Sequence, residues 1–171
     1  MDSGGVLTVR RERTGDADAI RAVHRAAFGA DDAVEARLVD ALRADSGWLP
    51  HLSLVAVRAS EVVGHVVATR AWVGDVAALG VGPLGVLPAS QRRGVGSALM
   101  YALLGAAQAR DETLVGLLGE PAYYARFGFV AAAEHGITAP DPAWGRYFQA
   151  LALTRPPAAG VFKYAAPFGE L

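Results

Sequence analysis

The clearest chemical pattern in the chain runs from Leu84 to Ser97, Leu84-Gly-Val-Leu-Pro-Ala-Ser-Gln-Arg-Arg-Gly-Val-Gly-Ser97. It reads as a strand that ends at Pro88, a glycine-containing turn, and a helix that begins near Gly96. Gly94 and Gly96 let the backbone curl so that several N–H groups converge on one concavity, and the positive end of the helix dipole adds to them; such a cradle suits a pyrophosphate. Arg92 and Arg93 bring further charge to phosphates at the rim. Three kinds of phosphate site share this form, and spacing separates them. A P-loop requires Gly-Lys-Ser/Thr, but Gly96-Ser97 has no lysine, which argues against nucleotide hydrolysis. A dinucleotide fingerprint asks for a small residue where Leu99 stands and for an early βαβ unit, whereas this turn follows an antiparallel hairpin. What remains is Val86-x-Pro88 followed by Gln91-x-x-Gly94-x-Gly96.

That pattern resembles the coenzyme A turn of the GNAT superfamily of acetyltransferases. Tyr123-Tyr-Ala-Arg-Phe-Gly-Phe129 is similar to the superfamily's second motif, a short helix bearing tyrosine followed by Gly-Phe at the next strand. Gly82-Pro-Leu84 and Pro121-Ala-Tyr-Tyr124 bring the resemblance closest to a group of bacterial predicted N-acetyltransferases, for which sequence does not imply the natural substrate. The order of elements agrees along nearly the whole chain. The resemblance implies an α/β fold, a mixed and mostly antiparallel central sheet flanked by helices with a splayed fourth strand, as one domain over residues 1–171. It implies that the backbone of Leu84, Gly85 and Val86 pairs with the pantetheine arm of acetyl-CoA, the co-substrate. Gln91, Arg92, Arg93, Gly94, Val95, Gly96 and Ser97 would wrap the pyrophosphate. Tyr124 matches the tyrosine whose hydroxyl approaches the coenzyme A sulfur, where a neutral phenol can donate a proton as the thiolate leaves. The competing role for Tyr124 is to pack its helix against the sheet.

Acetyl transfer to an amine also needs a stabilised oxyanion and a base. A splayed strand offers unpaired amides between Leu84 and Val86 to the thioester oxygen. Gly80, Gly82 and Gly85 serve either that close approach or a bulge. An amine with a pKa of roughly 10 is almost fully protonated at neutral pH, so something must take its proton. Glu120, just ahead of the tyrosine-bearing helix, is a candidate base; an acidic residue there also suits the helix N-cap. His65, in a valine-rich strand beside Gly64, reads as a buried structural histidine before it reads as a base. His24 shares the apolar face of the first helix, while His51 and His135 fall in loops. No histidine pair has metal-ligand spacing, so no metal is expected. Candidates for the acceptor pocket are Arg37, Arg43, Trp48, Trp144 and Tyr147.

Several elements must position these residues. Val6 to Arg10 reads as a strand, and Thr14-Gly-Asp opens a helix with Ile20, Val23 and Ala27 at helical spacing. Val34, Leu38, Ala41 and Leu42 mark a second helix. Leu52 to Arg58 and Val62 to Trp72 form a hairpin, and Val76 to Leu87 a bulged strand. The helix from Gly96 to Arg110 packs its Leu99, Ala102, Leu103, Ala106 and Ala107 face across the sheet. Thr113 to Leu118 is a buried strand, Pro121 opens a short helix that Gly128 stops, and Phe129 to Ala133 and Tyr147 to Leu153 are further strands. The Pro/Ala/Gly-rich tail from Pro156 adds an edge strand at Val161 to Tyr164.

Composition bounds the rest. The chain has 171 residues, 53% of them hydrophobic, enough for one compact core. It has no cysteine, which excludes disulfides, thiolate metal sites and a cysteine-bound acyl intermediate, so transfer is expected to be direct or to use another nucleophile. A net charge of −1 without long charge runs offers no footprint for nucleic acid. That weighs against a toxin-like acetyltransferase acting on charged transfer RNA, which would need a basic face. A non-catalytic acyl-CoA-binding module would keep the Gln91–Gly96 turn without a working Tyr124. No membrane segment or signal peptide is evident, so a cytoplasmic location is expected, with an amine-bearing small molecule or protein as substrate. Pairing of two copies through a late strand, as a homodimer, is a further expectation.

Overall fold

The computed structural model describes residues 4–29, 32–154 and 157–170. Strand β1 (Thr8–Arg11) leads through a 3-10 turn to helices α1 (Ala17–Phe28) and α2 (Val34–Ala44). Strands β2 (Ser53–Arg58), β3 (Glu61–Val73) and β4 (Val76–Val86) follow, then α3 (Val95–Gln108), β5 (Leu114–Leu118) and the short α4 (Pro121–Tyr124). The last strands are β6 (Val130–Ala131), β7 (Ile137–Thr138), β8 (Phe148–Ala152) and β9 (Gly160–Lys163). The sheet runs β1-β2-β3-β4-β5-β8-β6, with β9 paired to both β3 and β7. Along that path every pair is antiparallel except β4 with β5.

Alternation along β2 and β3 divides the core between two faces. Leu54, Ala56, Val66 and Ala68 meet the apolar side of α3 (Leu99, Met100, Leu103), whereas Val55 and Val67 meet Ile20 of α1 and Val39 and Leu42 of α2. Helices therefore cover both sides, and the strand between them is held in depth from either face. Among the described residues no helix is long and apolar enough to cross a membrane.

The start of α1 is fixed from β1. Arg10 donates two hydrogen bonds to Asp16, at 2.7 and 3.0 Å, and the Arg13 N–H donates a third at 2.7 Å. The Arg10 guanidinium holds the Asp16 carboxyl below its usual range. A lowered carboxyl pKa adds stability that is complete above the unfolded value of about 4 and is lost as pH falls through the folded value. Asp16→Asn should therefore cost about 1–3 kcal/mol near neutral pH. Urea unfolding of both proteins at about pH 6 and about pH 3 should show the gap closing on the acid side; a gap that widens there would refute the assignment.

Several boundaries differ from the sequence reading; β1, for one, begins at Thr8 and not at Val6. Thr14–Asp16 is a 3-10 turn ahead of α1. The strand expected over 129–133 shrinks to Val130–Ala131, because the chain folds into a 3-10 turn over Ala132–His135 that closes on Gly136 at φ 71°. That turn brings Ile137–Thr138 alongside β9 as an unforeseen parallel pair. The expected tail strand forms one residue early, at Gly160–Lys163; Pro156, the expected start of the tail, lies outside the described residues.

Candidate active site

Two strands that part company create the site. β4 stays paired to β3 over nearly its whole length, with an irregularity opposite Gly82 and Pro83, but meets β5 only at Leu79–Val81. Beyond Val81 the two strands diverge. The Leu87 N–H bonds the Val63 carbonyl at 2.9 Å, which sets the parity of the ladder, so the amides of Val86 and Leu84 face the gap and not β3. Gln91 closes part of this edge by donating from its side-chain amide to the Val86 carbonyl at 3.1 Å.

The turn from β4 into α3 supplies the second component. Pro88–Ser90 forms a 3-10 turn, Arg92 takes φ 60°, and Gly94 takes φ 81° as the residue that caps α3. The first α3 bond runs from the Ala98 N–H to the Gly94 carbonyl, so the N–H groups of Val95, Gly96 and Ser97 lack intrahelical acceptors. Val95 is buried and anchors this end. At Gly96 a Cβ would lie 2.5 Å from the Tyr123 hydroxyl, so only glycine lets α4 fold over the helix start.

These parts border one cleft of about 440 Å³, lined by Leu84, Gly85, Val86, Gln91, Arg92, Gly94, Val95, Gly96 and Ser97. All are residues singled out from the sequence. Arg93 does not line it. The sequence reading missed Ala27 and Phe28 at the end of α1, and Tyr123 and Arg126, which complete the wall. Arg126 stacks over the Tyr123 ring at 4.5 Å and donates to the Tyr123 carbonyl at 2.9 Å. The i,i+3 spacing of that pair was the available signal.

Tyr124 stands beside the cleft wall, not in it. Its ring fills the space where Gly119, just past β5, lacks a side chain, and it meets Tyr123 edge-on at 4.9 Å. Burial pushes its hydroxyl up to about 12, which keeps it a neutral phenol. Glu120 occupies the α4 N-cap and accepts through its backbone carbonyl from Tyr123 and Tyr124; its side chain makes no cap hydrogen bond and is exposed.

Below the divergence lies an aromatic floor. The Tyr164 ring takes the place of a Gly80 side chain and packs on Phe168 at 4.4 Å. Trp144 reaches this group at 6.3 Å from Tyr164. The other acceptor candidates do not: Arg37 pairs with Asp32, Arg43 lies over Trp48 at 5.8 Å, and Tyr147 is exposed beside Arg146. His24 and His65 are fully buried and bonded to each other at 2.8 Å, His51 lies in a 3-10 turn, and His135 ends another.

Residues 18–129 match the model of the acetyltransferase (GNAT) family. The chain is 35% identical over 146 residues to an N-acetyltransferase of Escherichia coli K12, YhbS, itself uncharacterised, covering 84% of this chain and 85% of that protein. A second uncharacterised N-acetyltransferase of that strain, YjhQ, is 36% identical over 132 residues, covering 74% and 72%. The crystal structure of E. coli YhbS in complex with CoA superposes with a TM-score of 0.89 at 30% identity, covering 99% of this chain and 95% of that one. A GNAT family acetyltransferase from Brucella melitensis in complex with acetyl-CoA gives 0.80 at 34% identity, covering 96% and 99%.

Proposed function

We propose, for a chain that belongs to the GNAT acetyltransferase family and is an enzyme of that kind, that it transfers the acetyl group of acetyl-CoA directly to a primary amine of a small molecule or protein. The observation that carries the reading is the junction of the open β4 edge with the α3 N-terminus in one cleft. The cradle fits a pyrophosphate, because its donors are backbone amides and its glycines leave no side chain in the way. Val95, Gly96 and Ser97 amides with Arg92 would hold the phosphates, and the gap-facing edge of Leu84 and Val86 would hold the pantetheine arm. CoA and acetyl-CoA in the two structural relatives support that assignment.

Bound acetyl-CoA supplies an activated acyl thioester; everything else falls to the protein. The Leu84 N–H, which faces the gap, would donate to the developing oxyanion. Tyr124, neutral through the working pH range, donates its proton to the departing sulfur. The aromatic floor of Tyr164, Phe168 and Trp144 lies on the side from which the acceptor enters. The whole chain acts as one acetyltransferase domain, in the cytoplasm.

Calorimetric titration of acetyl-CoA, followed by a screen of primary amines read as released CoA thiol, tests this. Because the chain has no cysteine, the protein contributes no thiol signal. Micromolar binding and transfer to at least one amine are expected. Failure to bind acetyl-CoA or any longer acyl-CoA would remove the reading.

A further inference from the structure

The phosphate cradle belongs to the α3 side of the cleft, and the α1 side has a chemistry of its own. α3 covers one face of the sheet, and α1 with α2 covers the other. Leu79 and Val81 turn into the α3 core, so Gly80 between them turns the opposite way. A Cβ on Gly80 would lie 2.6 Å from the Tyr164 ring, one on Gly82 3.4 Å from the Phe168 ring, and one on Gly85 2.7 Å from the His24 ring. Three rings from α1 and the tail thus stand where β4 has no side chains.

Phe28 carries this row into the cleft. It ends α1, lines the cleft together with Gly85 and is 44% exposed. Its ring stacks on that of His24, with centroids 6.0 Å and planes 16° apart. His24 is fully buried and cannot give way: its Nε2 shares a hydrogen bond with His65 Nδ1 at 2.8 Å, His65 Nε2 shares one with the Ser53 hydroxyl at 2.8 Å, and Ser53 donates to Glu12, which Arg43 holds. Burial, then the charge on Arg43, lowers His24 to about 4, so the ring against Phe28 is neutral. Phe28 therefore keeps a fixed place while nearly half of it stays open.

Charge narrows what this side can take. The residues that line the cleft include two arginines, Arg92 and Arg126, and no carboxylate. The phosphates of the cofactor would offset the arginines, but a polyamine or a lysine-rich peptide would find no counter-charge in the wall. An amine with a flat apolar body meets no such penalty. It covers the open part of Phe28, and contact between two rings adds about 3–10-fold in affinity beyond the area buried.

Resting on the acetyltransferase reading, we propose that the acceptor is a primary amine carried on an aromatic ring, and that Phe28 is the residue against which this ring packs and which sets acceptor specificity. With the acceptor's ring on Phe28, its amine lies toward Gly85 and Leu84, which line the same cleft. Phe28 takes no part in the chemistry: the amine nitrogen bonds the acetyl carbon, the carbon–sulfur bond breaks, and one N–H proton is lost as the sulfur gains one. Nothing is oxidised or reduced.

Steady-state transfer at saturating acetyl-CoA, with 2-phenylethylamine, hexylamine and spermidine as probes, tests this. For the wild type, kcat/KM with 2-phenylethylamine should exceed that with hexylamine about tenfold and that with spermidine by more. The reading that decides is the ratio of the first two values, because any effect of a substitution on the cofactor or on folding cancels in it. Phe28→Ala should bring that ratio down to within about twofold of one, mainly through KM, and Phe28→Trp should hold it at the wild-type value or above. A wild type that binds acetyl-CoA but prefers hexylamine or spermidine, or a ratio that Phe28→Ala leaves unmoved, would overturn the aromatic acceptor alone. Wild-type protein that binds no acyl-CoA would remove it together with the function beneath it.

Discussion

Gly94→Glu loses acetyl-CoA while keeping its fold. A side chain at residue 94 meets no atom within 4 Å, so nothing in the interior has to move. The cost to folding is that of a non-glycine residue at φ 81°, about 1–2 kcal/mol. The new carboxylate sits at the cap of α3, where it competes for the amides of Val95, Gly96 and Ser97 and repels the phosphates they would hold. Two like charges about 5 Å apart at an effective dielectric constant near 20 repel by about 3 kcal/mol. The dissociation constant for acetyl-CoA should therefore rise roughly 100-fold. Gly94→Ala carries the same backbone strain without charge and should weaken binding by less than about tenfold. Calorimetric titration of both variants, with circular dichroism to check folding, decides the matter: equal losses would mean that the turn's conformation is being read and not its phosphate-binding capacity.

Tyr124→Phe should leave that binding constant within about threefold of wild type and cut kcat by roughly 10²–10⁴-fold, the range for removing a general acid. The two variants thus separate binding from chemistry on neighbouring parts of one site. The raised pKa has its own signature. A phenol held protonated up to about 12 cannot give the wild-type rate a descending alkaline limb in the accessible range. Steady-state kinetics with saturating acetyl-CoA from about pH 6 to about pH 10 should show no such limb from Tyr124. Wild-type turnover in Tyr124→Phe would leave the tyrosine a packing residue, consistent with its contact at Gly119.

The cradle was legible in the sequence because its physics is local. Gln91 to Ser97 are neighbours in the chain, and a helix start with glycine where a positive φ is needed looks the same wherever it is folded. The divergence of β4 was legible for a similar reason, in the concentration of Gly80, Gly82, Pro83 and Gly85. What escaped depends on docking. Successive residues of a helix point about 100° apart, so the rotation of a four-residue helix decides whether Tyr123 or Tyr124 borders the cleft, and no pattern in so short a segment reports that rotation. His24 and His65 could each be placed on an apolar face, but their pairing joins residues 41 apart. Ser53 and Glu12 carried no signal at all, since a serine at a strand start and a glutamate in a turn are ordinary. The shortened β6 was lost to the 3-10 turn Ala132–His135, whose two alanines prolong the apolar run of Phe129 to Ala131 although alanine is a poor strand former.

The three-residue seam between β4 and β5 has one more consequence. Unpaired strand backbone on the rim of a protein is an invitation to other chains, and soluble proteins blunt it with charge, proline or bulges. Here the stretch at Leu84 and Val86 that does not pair with β5 lies in the middle of the sheet, beside α3 and α1. It is an edge turned inward, covered by helices on both faces of the sheet. An open edge so enclosed is kept from pairing with other chains by the helices around it, without the charge or proline that an outer edge would need.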